Sequence, residues 1–232
     1  LYSLLKCGDP LPSQIPVVYF GVEFPNQPLM SNFNNIAGTT SPHPYDVMLS
    51  TAKKVFPERN IVVLVGEDTT LGRMGAEAFQ SFWKEFPEKE SYELKIYNAT
   101  NDPLTDILND IQISYRAPKS IMIVPYWGLY MSSISKVSRA PTFTVSGTSL
   151  LNGVFCAVGP DMYKDARNAA KIACRILSGE PPSSIPLTQS EHQLTFDYKQ
   201  LNFFNIKKDQ LPRNSIIINE PYIDKYGVLI FL

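Results

Sequence analysis

Short apolar runs alternate with stretches of helical spacing along most of the chain. Ile15-Pro-Val-Val-Tyr-Phe20 reads as a buried strand, and a loop rich in Pro, Asn and Ser follows as far as Pro44. Tyr45, Met48, Leu49, Ala52, Val55 and Phe56 then keep helical spacing until Pro57 stops the helix. Ile61-Val-Val-Leu-Val65 has no polar interruption, as a strand covered on both faces requires. A helix with Ala78, Phe79, Phe82, Trp83 and Phe86 on one stripe comes next, then Glu93-Leu-Lys-Ile-Tyr97, which alternates like an edge strand. Leu104, Ile107, Leu108 and Ile111 predict a short helix, and Ile121-Met-Ile-Val124 another buried strand. Thr142-Phe-Thr-Val145 and Gly153-Val-Phe-Cys-Ala-Val158 are further strands. The clearest helix runs from Asp161 to Ser178, with Ala166, Ala169, Ala170, Ala173, Ile176 and Leu177 as its packing face and Gly179 as its stop. After Pro181-Pro182 the pattern restarts with a strand at Leu194-Thr-Phe196, a helix-like stretch from Tyr198 to Ile206 and an apolar run at Asn214-Ser-Ile-Ile-Ile218. Strands separated by helices of about ten to fifteen residues imply βαβ units, an α/β fold and a mostly parallel sheet.

Composition narrows the function classes. Apolar residues are 44% of the 232 and charged residues 19%, enough for a core and incompatible with disorder, collagen or coiled coil. Lys and Arg number 21 against 22 Asp and Glu, and no run of like charges offers a phosphate-tracking face, so nucleic acid is not expected as a partner. Three cysteines (Cys7, Cys156, Cys174) are too few and too scattered for a disulfide framework or a zinc site. Two histidines, His43 and His192, leave little for His-based catalysis. No cofactor or metal is called for.

Enzyme motifs are weak. Gly66-Glu-Asp-Thr-Thr-Leu-Gly72-Arg-Met-Gly75 lacks the close glycines of a dinucleotide turn and puts two acids where a pyrophosphate would sit. Ser146-Gly147-Thr148-Ser149 is not a nucleophile elbow. Glu67 and Asp68, as neighbours after a strand, point opposite ways, and Thr69, Thr70, Thr148 and Ser149 read as hydrogen-bond donors or helix caps.

In open parallel sheets ligands bind beyond the C-terminal strand ends. Those ends carry Glu23 and Phe24, then Asp68, Thr69 and Thr70, then Tyr126 and Trp127, then Thr148 and Asn152. Rings, small hydroxyls and a few acids suit a small organic ligand such as an amino acid, nucleobase or sugar. Tyr126 and Trp127 read either as core packing or as cleft lining, and Glu23 as a loop acid or a ligand contact.

Three stretches carry a resemblance. Ile15-Pro-Val-Val-Tyr-Phe-Gly-Val-Glu23, Asn35-Ile-Ala-Gly-Thr39 and the segment from Tyr163 through the Ala-rich helix to Ser178-Gly-Glu180-Pro-Pro-Ser-Ser-Ile-Pro186 resemble the substrate-binding proteins of ABC transporters. The nearest branch is the tryptophan-type, LacI-like group with a type I periplasmic-binding fold. Leu211-Pro-Arg-Asn-Ser-Ile-Ile-Ile-Asn-Glu-Pro-Tyr-Ile-Asp-Lys-Tyr226 is similar to the junction by which related extracytoplasmic domains pass into a membrane helix in sensor histidine kinases and diguanylate cyclases. The resemblance implies two lobes of parallel sheet flanked by helices, the first comprising residues 1–40 plus 188–223, the second residues 41–187, with 224–232 beginning a membrane-inserting segment. It further implies βα units ahead of the Ile15 strand, roughly 60 residues or more at the usual size of such a unit, so that the first lobe as given is incomplete. The function implied is a periplasmic or extracellular ligand-binding sensor domain on a bacterial cell membrane. It would be homodimeric in the intact receptor, and the kinase chemistry would lie on another part of the protein. A solute-binding protein serving an importer is the alternative, and an enzyme on a similar scaffold a third reading.

Overall fold

The computed structural model describes residues 15–112, 119–126, 131–145 and 153–221. Ten strands lie within them: β1 (Val17–Val22), β2 (Ile36–Thr40), β3 (Ile61–Gly66), β4 (Glu93–Asn98), β5 (Ser120–Val124), β6 (Thr142–Thr144), β7 (Cys156–Pro160), β8 (Thr188–Gln189), β9 (His192–Asp197) and β10 (Ile216–Ile218). The α-helices are α1 (Gln27–Met30), α2 (Tyr45–Val55), α3 (Thr70–Glu85), α4 (Leu104–Gln112), α5 (Met131–Val137), α6 (Met162–Leu177) and α7 (Tyr198–Phe203). The chain divides into two compact units, unit 1 being Leu1–Pro42 with Pro160–His192, and unit 2 His43–Gly159 with Gln193–Leu232.

In unit 2 a seven-stranded sheet runs in the order β10-β9-β7-β6-β5-β3-β4. The pairs β10–β9, β7–β6, β6–β5, β5–β3 and β3–β4 are parallel. The unbroken apolar run of β3 is explained by its two faces. Val62 and Leu64 join one core with Ile121, Ile123, Phe79 and the buried stripe of α2. Val63 and Val65 join another with Met122, Val124, Ile107, Ile111 and Ile134. Alternate residues therefore serve opposite helical layers, and a polar residue would be unsatisfied on either side. The stripe of α2 is Tyr45, Met48, Leu49, Ala52 and Val55, as its spacing predicts. A ring cluster closes that layer: Phe155 meets Phe56, Phe196 and Phe204 edge to face at centroid distances of 5.0, 5.4 and 5.6 Å. Arg59 lies over the Phe56 ring at 4.9 Å and donates to the carbonyls of Ser120 (2.7 Å) and Arg139 (3.4 Å).

Unit 1 holds a three-stranded sheet in the order β1-β2-β8, with both pairings parallel. Ala37, Ile172 and Ile185 form its small core, with Val18 and Ile176 packed against them.

Three features differ from the sequence reading. The stretch read as loop up to Pro44 contains α1 and β2. The β2 pattern is hidden because Thr39 and Thr40 are buried polar residues, so the run shows no contrast of apolar and polar. The helix α5 carries no pattern that marked it beforehand. The lobe boundaries also fall elsewhere: Pro160–His192 belongs with unit 1 and the chain from Gln193 with unit 2. The reason is pairing and packing, since β8 hydrogen-bonds to β2 and α6 packs on β1 and β2, whereas β9 joins the larger sheet next to β7. Neighbouring strands that are remote in sequence decide membership, and spacing does not reveal them.

The face of α6 is corrected as well. It buries Asp165, Ala169 and Ile172, while Leu177 is 87% exposed and Ala166 and Ala170 lie outward. The buried stripe is offset because a carboxylate occupies its first position. Among the described residues no helix is long and apolar enough to cross a membrane. The run from Tyr226 lies outside the described residues.

Candidate functional site

In unit 2 the loop after β3 starts with Glu67, which is buried, and Asp68, which is exposed, so the two acids do point apart. The Asp68 amide donates to Thr100 Oγ1 at 3.0 Å, which ties the ends of β3 and β4 together. The Asp68 carboxylate receives Arg73 Nη1 at 2.5 Å, one turn into α3. Thr69 is the N-cap of α3: its Oγ1 accepts the Gly72 amide at 3.0 Å, and its own amide donates to the Glu67 carbonyl at 2.8 Å. A Cβ at position 72 would stand 2.3 Å from that same carbonyl, so only glycine lets the chain turn this tightly into the helix. Thr70 opens the helix itself.

Next to this, β4 ends in a turn where the Asn98 amide donates to Asp102 Oδ2 (2.6 Å) and the Thr100 amide to Asn98 Oδ1 (3.0 Å). Tyr126 follows β5 and is half-buried, directly after Pro125, which packs on Gly75 of α3. Asp68, Thr69, Thr70 and Tyr126 thus share the C-terminal end of the adjacent strands β3 and β5. The oxygen of Thr69 is committed to the cap and Asp68 to Arg73. A ligand here would meet an ion pair held by a helix start rather than a lone carboxylate.

Glu23 and Phe24 belong to unit 1. They follow β1, whose register against β2 shifts between Tyr19 and Val22, with Gly21 at φ +67° forming the irregularity. Glu23 is exposed and Phe24 half-buried. Trp127, Thr148 and Asn152 lie outside the described residues.

Two features of unit 1 escaped the sequence reading. One is a buried polar cluster of Ser41, Asp165 and Ser190. The other is a groove of about 430 Å³ with Lys164, Asn168, Lys171 and Arg175 of α6 on one wall and Thr188 and Gln189 of β8 on the other. Its cations are paired at the rim: Lys164 with Glu191 at 2.9 Å and Arg175 with Glu180 at 2.5 Å. The hydrogen bond to Glu191 raises the Lys164 ammonium above its ordinary value, and the Arg175 hydrogen bond holds the Glu180 carboxyl below its own. The signal for the cluster was present: Asp165 stands in register with Ala169, Ile172 and Ile176 on the helix. Among the described residues no group of three or more His, Cys, Asp or Glu could hold a metal ion.

No protein-family model matches the chain, and no curated protein matches it. Solved structures do. A substrate binding protein with adhesive properties from Clostridium difficile, in its ligand-free open form, is 17% identical with a TM-score of 0.65, covering 81% of this chain and 63% of that one. A conserved domain protein from Vibrio cholerae is 17% identical with a TM-score of 0.60, covering 87% and 71%. An ABC domain in complex with L-Trp from Streptococcus pneumoniae is 14% identical with a TM-score of 0.62, covering 89% and 74%. The chain therefore has the α/β fold of periplasmic-binding-like proteins, with parallel sheets flanked by helices, and spans less than two thirds of the first of these structures.

Proposed function

We propose that the chain binds a small organic molecule, using the strand-end residues Glu23, Phe24, Asp68, Thr69, Thr70, Tyr126, Trp127, Thr148 and Asn152. The observation that carries this reading is the shared fold with binding proteins, one of them in complex with L-Trp. Ligand that prefers one conformation of the chain shifts the population toward it, and that shift is the output. A ligand with about 100-fold preference for that conformation supplies about 2.7 kcal/mol, enough to bias a coupled equilibrium.

The finer reading is a periplasmic or extracellular sensor domain of a membrane-bound two-component histidine kinase, homodimeric in the intact receptor, with that shift passed to a transmembrane helix that begins in residues 224–232. The resemblance of Leu211–Tyr226 to a membrane junction supports it. The second reading is the solute-binding protein of an ABC importer, which the shared fold supports equally. The coding sequence beyond Leu232 separates them: a membrane helix followed by a kinase module is expected for the first, a stop codon for the second.

Ligand binding is tested by thermal shift with L-tryptophan, the other amino acids, nucleobases and common sugars. At least one compound raises Tm, and both Asp68→Ala and Trp127→Ala abolish the shift. A shift that survives both substitutions removes the strand-end site.

A further inference from the structure

The chain passes between the units at Pro42–His43, Gly159–Pro160 and His192–Gln193. On the unit 1 side the buried polar cluster draws one residue from each stretch: Ser41 next to Pro42, Asp165 in the first turn of α6 five residues after Pro160, and Ser190 two residues before His192, which are 2%, 1% and 7% exposed. Ser190 Oγ donates to Asp165 Oδ2 at 2.5 Å. Ser41 Oγ lies 2.6 Å from Ser190 Oγ and 3.3 Å from the same carboxylate oxygen. Each hydroxyl has one proton to give, so the shortest arrangement is a relay in which Ser41 donates to Ser190 and Ser190 to the carboxylate. Backbone bonds follow the same path: the Ser41 amide to Val22 (2.8 Å), the Ser190 amide to Thr40 (2.8 Å) and the Asp161 amide to Glu191 (3.3 Å).

The first passage is also fixed on its other side, within unit 2. Tyr45 Oη donates to the Gly75 carbonyl at 2.9 Å and lies 2.7 Å from His43 Nδ1. Because the tyrosine proton goes to Gly75, Nδ1 of His43 carries the proton of the second bond. Pro42, with its fixed φ, is left between two anchored residues.

An apolar side chain at 165 would continue the stripe of Ala169 and Ile172 with no charge to desolvate. What the carboxylate adds is a common attachment for backbone from β2, β8 and α6. We propose that Asp165 is the positioning residue of a hinge: it ties the three stretches leaving unit 1 into one block, so that rotation is confined to the three passages. Its purpose rests on the binding function proposed above, but the clamp is a property of ligand-free protein and is tested without ligand.

The test is hydrogen exchange on the ligand-free chain, comparing wild type with Asp165→Ala, Asp165→Asn and Ser190→Ala. Removing a hydrogen-bonded charged group should raise exchange at Ser41, Asp161 and Ser190 together by about tenfold or more, with β3 unchanged. Asp165→Asn retains an acceptor and gives a smaller rise, and Ser190→Ala releases the Ser190 stretch while Ser41 keeps its direct 3.3 Å bond to Asp165, so exchange rises more at Ser190 than at Ser41. Acceleration confined to the first turn of α6, or spread evenly over unit 1, overturns the proposal. If Asp165→Ala does not fold, Ser190→Ala carries the same decision. A second readout is the distance distribution between spin labels on Cys174 and on Glu85→Cys in a Cys7→Ser background. Asp165→Ala should broaden it, and an unchanged width also overturns the clamp. A chain that passes both tests yet shifts with no compound retains the clamp and loses the binding function.

Discussion

Arg59 shows how one side chain holds several parts of unit 2. Its guanidinium joins the carbonyls of Ser120 and Arg139 while lying over Phe56 and, at 5.6 Å, Phe204. Burial lowers its pKa to about 10, which measures the cost of placing the charge there; the carbonyls and ring faces offset that cost. Arg59→Ala should lose about 2–3 kcal/mol in urea unfolding, and Arg59→Lys should recover only part, because a compact, strongly hydrated ammonium lacks the planar face that lies over the Phe56 and Phe204 rings. The two cysteines among the described residues differ in the same physical way. Burial pushes the Cys156 thiol well up, against a smaller opposing effect of a backbone hydrogen bond from Thr195, whereas Cys174 is exposed. Iodoacetamide at pH 8 should therefore modify Cys174 and leave Cys156 untouched until the chain unfolds, as read by mass spectrometry of the peptides. Thr69 was legible as a cap from its place after an apolar run. Asp165 was not, because a sequence shows that a carboxylate stands on a stripe but not that two distant serines satisfy it.

At the scale of elements, the strands buried on both faces announced themselves, and those with mixed surroundings did not. β3 and, after Ser120, β5 are apolar and were read nearly to their ends. β2 was missed since two of its buried positions, Thr39 and Thr40, are threonines and break the apolar pattern. The ring cluster around β7 gives the sharpest packing test: Phe155→Ala removes contacts to Phe56, Phe143, Phe196 and Phe204 at once and should cost about 3–5 kcal/mol in urea unfolding, with Phe155→Leu costing clearly less. The C-terminal turn of α6 depends on pH. Arg175 holds the Glu180 carboxyl below its ordinary 4.5, so the stabilisation is present above that value and lost as pH falls through the lowered one. Amide exchange at Ser178 and Gly179, corrected for its intrinsic pH dependence, should speed up as pH falls through the lowered Glu180 range, and Glu180→Gln should show the fast rate at all pH values.

For the whole molecule, the two units differ greatly in core. Unit 2 buries two helical layers against seven strands, whereas unit 1 has three strands and a core of a few aliphatic side chains. Burial grows with size, so unit 1 should open first. Hydrogen exchange in increasing urea should release amides of α6 and β2 at lower denaturant than those of β3 and β5, and a single coincident transition would show that the units stabilise each other as one cooperative body. The class of fold was readable from alternating strands and helices, since local spacing sets it. Which segments return to which sheet was not, because β8 beside β2 and β9 beside β7 are choices made between remote stretches.

The two-faced burial of β3 leaves that strand without a polarity marker. In most half-exposed strands a slip by one position would turn apolar side chains to water and be rejected. Here Val62 through Val65 would simply trade one greasy neighbourhood for another, so alignment must be enforced from outside the run. Two devices among the described residues lie at its ends: the guanidinium of Arg59 gripping the start of the neighbouring strand, and the tight glycine-dependent bend at Glu67–Gly72 on the far side. Enlarging Gly72 would therefore loosen the end of β3 and displace the loop that carries Asp68 without emptying the core.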